Sequence, residues 1–155
     1  MLAAAMRLSL QVQYAICGLF DLAYNGEGAP IQVRVVGDRQ GIPARYLEQI
    51  FQRLRRARVL KGKRGPGGGY LLARPPSEIT LRDIVEAVEG PLERVMGAGP
   101  PPRSRPIPYR PGFLWDALAS RLGEALGETT LESVCREAAR GAVKRAHADS
   151  HSYVI

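Results

Sequence analysis

The sequence contains little cysteine and no long apolar run. Its two cysteines, Cys17 and Cys135, lie far apart in 155 residues and neither belongs to a CxxC pair, which argues against a disulfide framework or a structural zinc site. No apolar run approaches the roughly 18 residues of a membrane span, and the first ten residues lack the pattern of a signal peptide. We therefore expect a cytoplasmic protein with no membrane partner, in which either Met1 or Met6 is the natural start.

The residue patterns typical of enzymes are also missing. A glycine-rich stretch, KGKRGPGGGYLL, occupies residues 61–72. A phosphate-binding Walker loop places Lys-Ser/Thr after its last glycine, and a dinucleotide fold places a helix there. Here Tyr70 and two leucines follow the glycines, and no set of Ser, His and Asp or of paired carboxylates gathers nearby. The sequence predicts no enzyme, no cofactor and no metal site.

Positive charge is present in excess and is concentrated in one place. Residues 45–64 contain eight cations and a single acid, Glu48, a balance of +7 that equals the net charge of the whole chain. A concentrated basic surface attracts polyanions because it releases the counterions that surround their phosphates. This stretch therefore predicts a nucleic-acid partner, while a merely solvated helix face is the alternative.

Two amphipathic helices are predicted in the first half of the chain. Apolar residues recur at helical spacing over residues 8–23, with Ser9 as the expected N-cap. Residues 31–40 carry three valines, which leaves strand and helix both open. The next helix is expected to start near Pro43 because a missing N–H costs nothing in a first turn. Its apolar face consists of Leu47, Ile50, Phe51 and Leu54.

The glycine-rich stretch predicts the turn of a β-hairpin. Apolar residues on both sides of residues 65–68 predict two short strands within about 59–73. Thr80, followed three residues later by Asp83, then predicts a capped helix that ends at Gly90. Two helices, the second basic on its outer face, followed by a two-stranded hairpin, make a winged helix-turn-helix.

The second half of the chain changes character at a proline-rich break. Residues 91–112 contain seven prolines without apolar periodicity and predict a loop. Helical spacing resumes at residues 113–126, where Gly127 is the expected end, and Thr129 with Glu132 predicts the cap of a last helix. Because the helix at 113–126 lies beyond the break, its expected partner is the same helix of a second subunit. Its predicted dimerisation residues are Leu114, Trp115, Leu118 and Leu122.

The predicted fold is mainly α-helical with a small two-stranded β wing. The expected organisation is a DNA-binding domain at 6–90, with its helix-turn-helix at about 33–56, the loop at 91–112, dimerisation helices at 113–146 and a flexible tail at 147–155.

Two motifs carry a resemblance to a known family. YLEQIF at residues 46–51 and RGPGGGYLL at residues 64–72 resemble the Rrf2 family of bacterial transcription regulators. The resemblance implies a homodimeric winged-helix repressor that binds palindromic operators, with the recognition helix in the major groove and the wing in the minor groove. The residues that it places against DNA are Ser9, Arg45, Tyr46, Glu48, Gln49, Arg53, Lys63, Arg64, Gly65, Gly67 and Gly68.

Base chemistry agrees with several of these roles. Arginine donates to guanine edges, glutamine pairs with adenine and a carboxylate accepts from cytosine, while a narrow minor groove attracts Arg64. Glu48 therefore has two possible roles: it reads a base, or it forms a salt bridge with Arg45 or another neighbour on the helix surface. Binding of structured RNA by a translation-associated winged-helix module remains the alternative function, since a basic surface does not distinguish duplexes.

The sequence departs from the family at the proline-rich loop. Cluster-binding relatives supply three cysteines there, and residues 91–112 contain none. Because thiolates are the required ligands, we expect no iron–sulfur cluster. The signal would then be an effector protein, a small molecule or a reactive thiol. Cys17 is expected to be a small buried residue or a redox sensor. Cys135 is a second redox-sensor candidate, because Arg136 beside it could lower the pKa of its thiol.

Overall fold

The computed structural model describes residues 8–96 and 109–146 of the chain. Its elements follow in the order α1 (Leu10–Asn25), α2 (Val33–Gln40), α3 (Ala44–Arg56), β1 (Leu60–Lys63), β2 (Gly69–Leu72), α4 (Leu81–Glu89), α5 (Leu92–Val95), α6 (Gly112–Glu128) and α7 (Leu131–Arg140), with a short 3-10 helix at Pro76–Glu78. The mainly helical fold with one two-stranded sheet is as predicted. No helix among these residues is long and apolar enough to cross a bilayer.

Helix α1 is the centre of the core. Ser9 caps it as predicted, because its side chain accepts a hydrogen bond from the Val12 amide at 3.2 Å, which satisfies an otherwise unpaired amide of the first turn. Helices α2, α3, α4 and α7 all pack against α1. At Gly18 a Cβ atom would lie 2.6 Å from the ring of Phe51, so only glycine lets α1 and α3 approach this closely.

The segment left open between strand and helix is helix α2. It buries Val36 and ends at Gly41, which has a left-handed φ of 67° that glycine adopts without steric cost. Helix α3 follows with Pro43 as its N-cap rather than inside its first turn. The predicted apolar face is confirmed, since Leu47, Ile50, Phe51 and Leu54 are all buried.

The predicted wing is an antiparallel hairpin. Leu60 of β1 pairs with Leu72 of β2, and Lys63 pairs with Gly69. The hairpin is anchored to the segment before α2, because Tyr70 and Ile31 exchange two backbone hydrogen bonds of 2.8 and 2.9 Å. At Gly69, with a φ of 145°, a Cβ atom would lie 2.3 Å from the Ile31 carbonyl oxygen. This approach requires glycine.

A buried polar network joins α1 to α2. Asp21 is 0% exposed and its carboxylate accepts three hydrogen bonds: from Arg39 at 3.1 Å, from Gln40 at 3.0 Å and from Asn25 at 3.2 Å. A buried carboxylate requires such donors, because without them the free-energy cost of removing its charge from water would not be compensated. The network therefore holds the first helix of the helix-turn-helix against the core.

The end of α6 differs from the prediction. The helix continues through Gly127 to Glu128, and the cap of α7 is Thr130 rather than Thr129. The cause is a tertiary contact: the Thr129 carbonyl oxygen accepts from Leu81 and the Leu131 amide donates to Ile79. This pairing keeps the backbone extended at the turn and shifts the start of α7 by one residue. The predicted capping box of Thr80 and Asp83 on α4 is present.

The helices after the proline-rich break also contact the first core. Helix α7, which the sequence groups with the dimerisation helices, packs against α1 and buries Leu131 completely. Helix α6 packs against α4 and α5 and buries Ala119 and Gly123. The predicted loop at 91–112 differs from the structure, because it contains the short helix α5 and the first residue of α6. Residues 97–108 of that loop and the predicted tail at 147–155 lie outside the described residues.

Candidate nucleic-acid interface

The basic stretch forms an exposed surface on α3 and the wing. All eight of its cations are exposed, and none of them forms a salt bridge within residues 8–96 and 109–146. Their charges are therefore available to an external polyanion. We call the surface the basic face; its cations are Arg45, Arg53, Arg55, Arg56, Arg58, Lys61, Lys63 and Arg64.

The start of α3 presents three of the predicted base-contacting side chains. Arg45, Tyr46 and Gln49 are exposed on its outer face. The Arg45 guanidinium lies 5.2 Å from the centre of the Tyr46 ring and donates to the Tyr46 hydroxyl at 3.4 Å, and its charge is not neutralised by a salt bridge within the described residues. Arg53, one turn further on, donates to the Gln11 side chain at 2.7 Å. Its guanidinium is thus partly held by α1.

The tip of the wing combines charge with a tight turn. Lys63 and Arg64 are exposed, and the turn beyond them uses left-handed φ values of 88° at Gly65 and 70° at Gly67. At Gly68 a Cβ atom would lie 2.3 Å from the Lys63 carbonyl oxygen, so a larger residue would force the turn open. The glycines predicted to contact DNA shape the loop that carries the cations.

Glu48 contacts the wing and not Arg45. Its Oε1 atom accepts a hydrogen bond from the Tyr70 hydroxyl at 2.6 Å and another from Gln52 Nε2 at 3.1 Å. Gln52 Nε2 also donates to the Tyr70 hydroxyl at 3.0 Å, which closes a triangle of three side chains. The surface salt bridge expected as the alternative for Glu48 is not formed with Arg45.

The environment of Tyr70 perturbs its titration. Burial raises the pKa of Tyr70 to about 12, the hydrogen bond and negative charge of Glu48 act in the same direction, and Arg55 opposes them. Sequence analysis missed Tyr70 and Gln52 as members of the site. The spacing of Glu48 and Gln52 by one helical turn was a usable signal, whereas Tyr70 lies 22 positions from Glu48 and no local pattern joins them.

Ser9, which the family resemblance places against DNA, makes its side-chain hydrogen bonds within the protein. Its side chain accepts from the Val12 amide, and its hydroxyl donates to a Glu89 carboxylate oxygen. These bonds join the start of α1 to the end of α4. The hydroxyl is therefore committed within the protein.

The predicted dimerisation residues lie on α6 and remain partly exposed. Leu114 is 41% exposed, Leu118 38% and Leu122 37%, with the exposed ring of Phe113 beside them. Trp115 is half-buried. Such a continuous apolar stripe on a soluble helix is typical of a covered surface.

The two cysteines do not come together in the structure. Cys17 lies on α1 and Cys135 on α7, both half-buried. Burial raises the pKa of each thiol; at Cys135, Glu132 adds to this effect and Arg145 opposes it. The expectation that Arg136 lowers the pKa of Cys135 is wrong, since Arg136 forms a salt bridge with Glu132 at 3.0 Å.

The available donors do not fit an iron–sulfur cluster. Such clusters are held mainly by cysteine thiolates, and the whole chain has two cysteines, one on each of two helices. Within residues 8–96 and 109–146, no group of three or more His, Cys, Asp or Glu side chains could hold a metal ion.

Comparison with known proteins assigns the family. The family model Rrf2, described as an iron-dependent transcriptional regulator, matches residues 8–137. The chain belongs to the Rrf2 family. It is 35% identical over 126 residues to the HTH-type transcriptional regulator IscR of Escherichia coli, covering 81% of this chain and 78% of that protein.

Solved structures agree with this membership. The structure of CymR, the global cysteine regulator of B. subtilis, superposes with a TM-score of 0.69 at 30% identity, covering 85% of this chain and 98% of that one. The IscR structure from T. potens gives a TM-score of 0.70 at 28% identity, covering 94% and 98%. This Rrf2 protein is thus a winged-helix, DNA-binding transcriptional regulator and not an enzyme, as the sequence predicted.

Proposed function

We propose that this Rrf2 regulator is a cytoplasmic repressor that binds a palindromic operator as a homodimer, without an iron–sulfur cluster. The observation that carries the proposal is the basic face: the charge excess of the chain lies on α3, the wing and the turn between them, and none of these cations forms a salt bridge with another part of the chain that the structure describes. Eight exposed cations within twenty residues suit the phosphates of a duplex, because each phosphate contact releases a counterion and so favours binding.

We assign two kinds of DNA contact to residues of the basic face: contacts with base edges, and contacts with the DNA backbone and minor groove. In this proposal Arg45, Tyr46 and Gln49, at the start of α3, contact base edges in a major groove, where arginine pairs with guanine and glutamine with adenine. Lys63 and Arg64, at the wing tip, contact the adjacent backbone and minor groove, whose negative potential attracts arginine.

The apolar stripe of α6 supports a homodimer. Two copies of a stripe made of Leu114, Leu118 and Leu122 are self-complementary across a two-fold axis. A symmetric dimer presents two basic faces, and these match the two halves of a palindrome.

The proposal of a cluster-free protein follows from the donor set. With two separated thiols of raised pKa, the releasing signal is an effector protein, a small molecule or a change at one of the cysteines. Visible absorption of anaerobically purified protein tests this part: the cluster-free protein has no band above about 300 nm, and a persistent brown chromophore would contradict it.

Gel-shift titration tests the DNA-binding part. The wild type is expected to prefer a palindromic fragment from its own promoter region to a random duplex of equal length at moderate salt. Arg64→Ala is expected to weaken binding and to reduce the salt dependence by about one phosphate equivalent. Arg136→Ala, which removes the same charge from α7, serves as the matched control and should bind as the wild type does. Equal affinity for both duplexes, or displacement by structured RNA at lower concentration than by the operator, would contradict the proposal.

Sedimentation tests the dimer. Leu118→Glu is expected to produce monomers because it places a charge within the stripe, whereas Ser120→Glu, on the same helix but away from the stripe, should remain dimeric. A dimer that persists in Leu118→Glu would contradict the role of α6.

A further inference from the structure

We propose that Glu48 is a positioning residue: through Tyr70 it fixes the angle between the recognition helix α3 and the wing, and so lets both contact DNA at once. The inference rests on the proposed DNA-binding function. It gives Glu48, the one acid of the basic stretch, a role within the protein that does not require a contact with a base.

The first support is the triangle of side chains that joins α3 to β2. Glu48 accepts from Tyr70 and Gln52, and Gln52 donates to Tyr70, at distances between 2.6 and 3.1 Å. Glu48 and Gln52 are one helical turn apart on α3, and Tyr70 is on the wing. All three side chains are half-buried, where a hydrogen bond to a carboxylate is stronger than at an open surface.

The second support is the position of Tyr70 in the wing. Its backbone pairs with Ile31, and its ring meets Phe51 edge-on, with the ring centres 5.1 Å apart. These contacts, together with the packing of Leu72 against the core, hold the base of β2. The hydroxyl is a further contact, and it reaches the polar side of α3, where Glu48 lies. Tyr70 is the last side chain of β2 before the glycine turn, so the wing tip would tilt about it.

Leverage makes this contact important for binding. A strand rises about 3.3 Å per residue, so the turn at Gly67 lies roughly 10 Å from Tyr70. A tilt of about 10° at Tyr70 would then move the wing tip by nearly 2 Å, which is enough to break a hydrogen bond between Arg64 and a phosphate. A fixed angle is needed for the wing and α3 to contact one duplex together.

Charge supports the same assignment. A free carboxylate among eight cations would repel phosphates and lower affinity. Two neutral donors on Oε1 hold the Glu48 carboxylate toward Tyr70 and stabilise it there, so its position is fixed by the protein and not by a phosphate or a base.

A double-mutant cycle on operator binding tests the proposal with the full-length protein. Tyr70→Phe and Glu48→Ala are each expected to weaken operator binding by about tenfold, the effect of one hydrogen bond to a charged group. The double variant is expected to lose no more than either single variant, because both changes break the same contact. Losses that multiply in the double variant would overturn the proposal, since Glu48 would then act on DNA independently of Tyr70.

Glu48→Gln separates positioning from base reading. The amide oxygen of glutamine can still accept from Tyr70, so this variant is expected to bind within about threefold of the wild type with unchanged sequence preference. A loss as large as that of Glu48→Ala would overturn the proposal. Hydroxyl-radical footprinting supplies a second readout: Tyr70→Phe should lose protection at the wing contacts and keep it at the contacts of α3.

Controls separate this inference from its premise. Circular dichroism at the assay temperature establishes that each variant is folded. If the wild-type protein does not prefer the operator to a random duplex, the proposed function itself is wrong. If wild type prefers it and Tyr70→Phe binds equally well with an intact wing footprint, the positioning role alone is wrong.

Discussion

Removing the Asp21 carboxylate should destabilise the whole fold. Asp21 is fully buried and accepts from Arg39, Gln40 and Asn25. In Asp21→Ala these donors lose their acceptor and Arg39 keeps its charge. Breaking a buried pair costs about 3–5 kcal/mol. We expect the lower end, about 3 kcal/mol, because the Arg39 side chain is 27% exposed and can turn toward water. That is a large share of the roughly 5–15 kcal/mol that stabilises a domain.

Urea and thermal unfolding followed by circular dichroism measure this loss. The thermal midpoint should fall by about 10 °C, given about 3 °C per kcal/mol for a protein of this size, with an unchanged urea m-value. Asp38→Ala is the matched control, since Asp38 lies on α2, carries the same charge and is exposed. Equal effects of Asp21→Ala and Asp38→Ala would refute the reasoning, because general charge removal would then account for both.

Three further predictions concern single side chains. Absorbance titration should show one tyrosine that ionises near pH 12 and that is absent in Tyr70→Phe. Because the folded state holds this proton more tightly than the unfolded state, the free energy of unfolding should fall as pH rises from about 10 through about 12. Ionisation of every tyrosine near pH 10 would contradict this. Cys17 and Cys135 should react with iodoacetamide more slowly than a free thiol at neutral pH, since burial raises the pKa of both; rapid reaction of the folded protein at Cys135 would restore it as a redox-sensor candidate. Thr80→Ala should cost about 1 kcal/mol in urea unfolding by removing the cap of α4, whereas Thr80→Ser keeps the acceptor, and equal losses would count against the cap.

Much of the fold was predictable because its signals are local. The apolar spacing of α3, the glycines and cations of the wing and the Thr80 cap each lie within one or two turns of chain. The segment of α2 could not be assigned, since its valines suit strand and helix alike, and burial of Val36 decided it. The start of α7 was misplaced because a hydrogen bond from Leu81, far away in sequence, keeps Thr129 extended.

By itself, the sequence determined that this protein carries its charge excess on one helix and one glycine-turn hairpin, which is the chemistry of a DNA-binding face. Charge and turn preference depend on residues that are neighbours in the sequence, so both can be predicted without knowledge of the tertiary structure. Only the tertiary structure decided that Glu48 binds Tyr70 and that Asp21 binds Arg39. These partners lie on different elements, and the packing of α1 on α2 and the pairing of β2 with Ile31 bring those elements together.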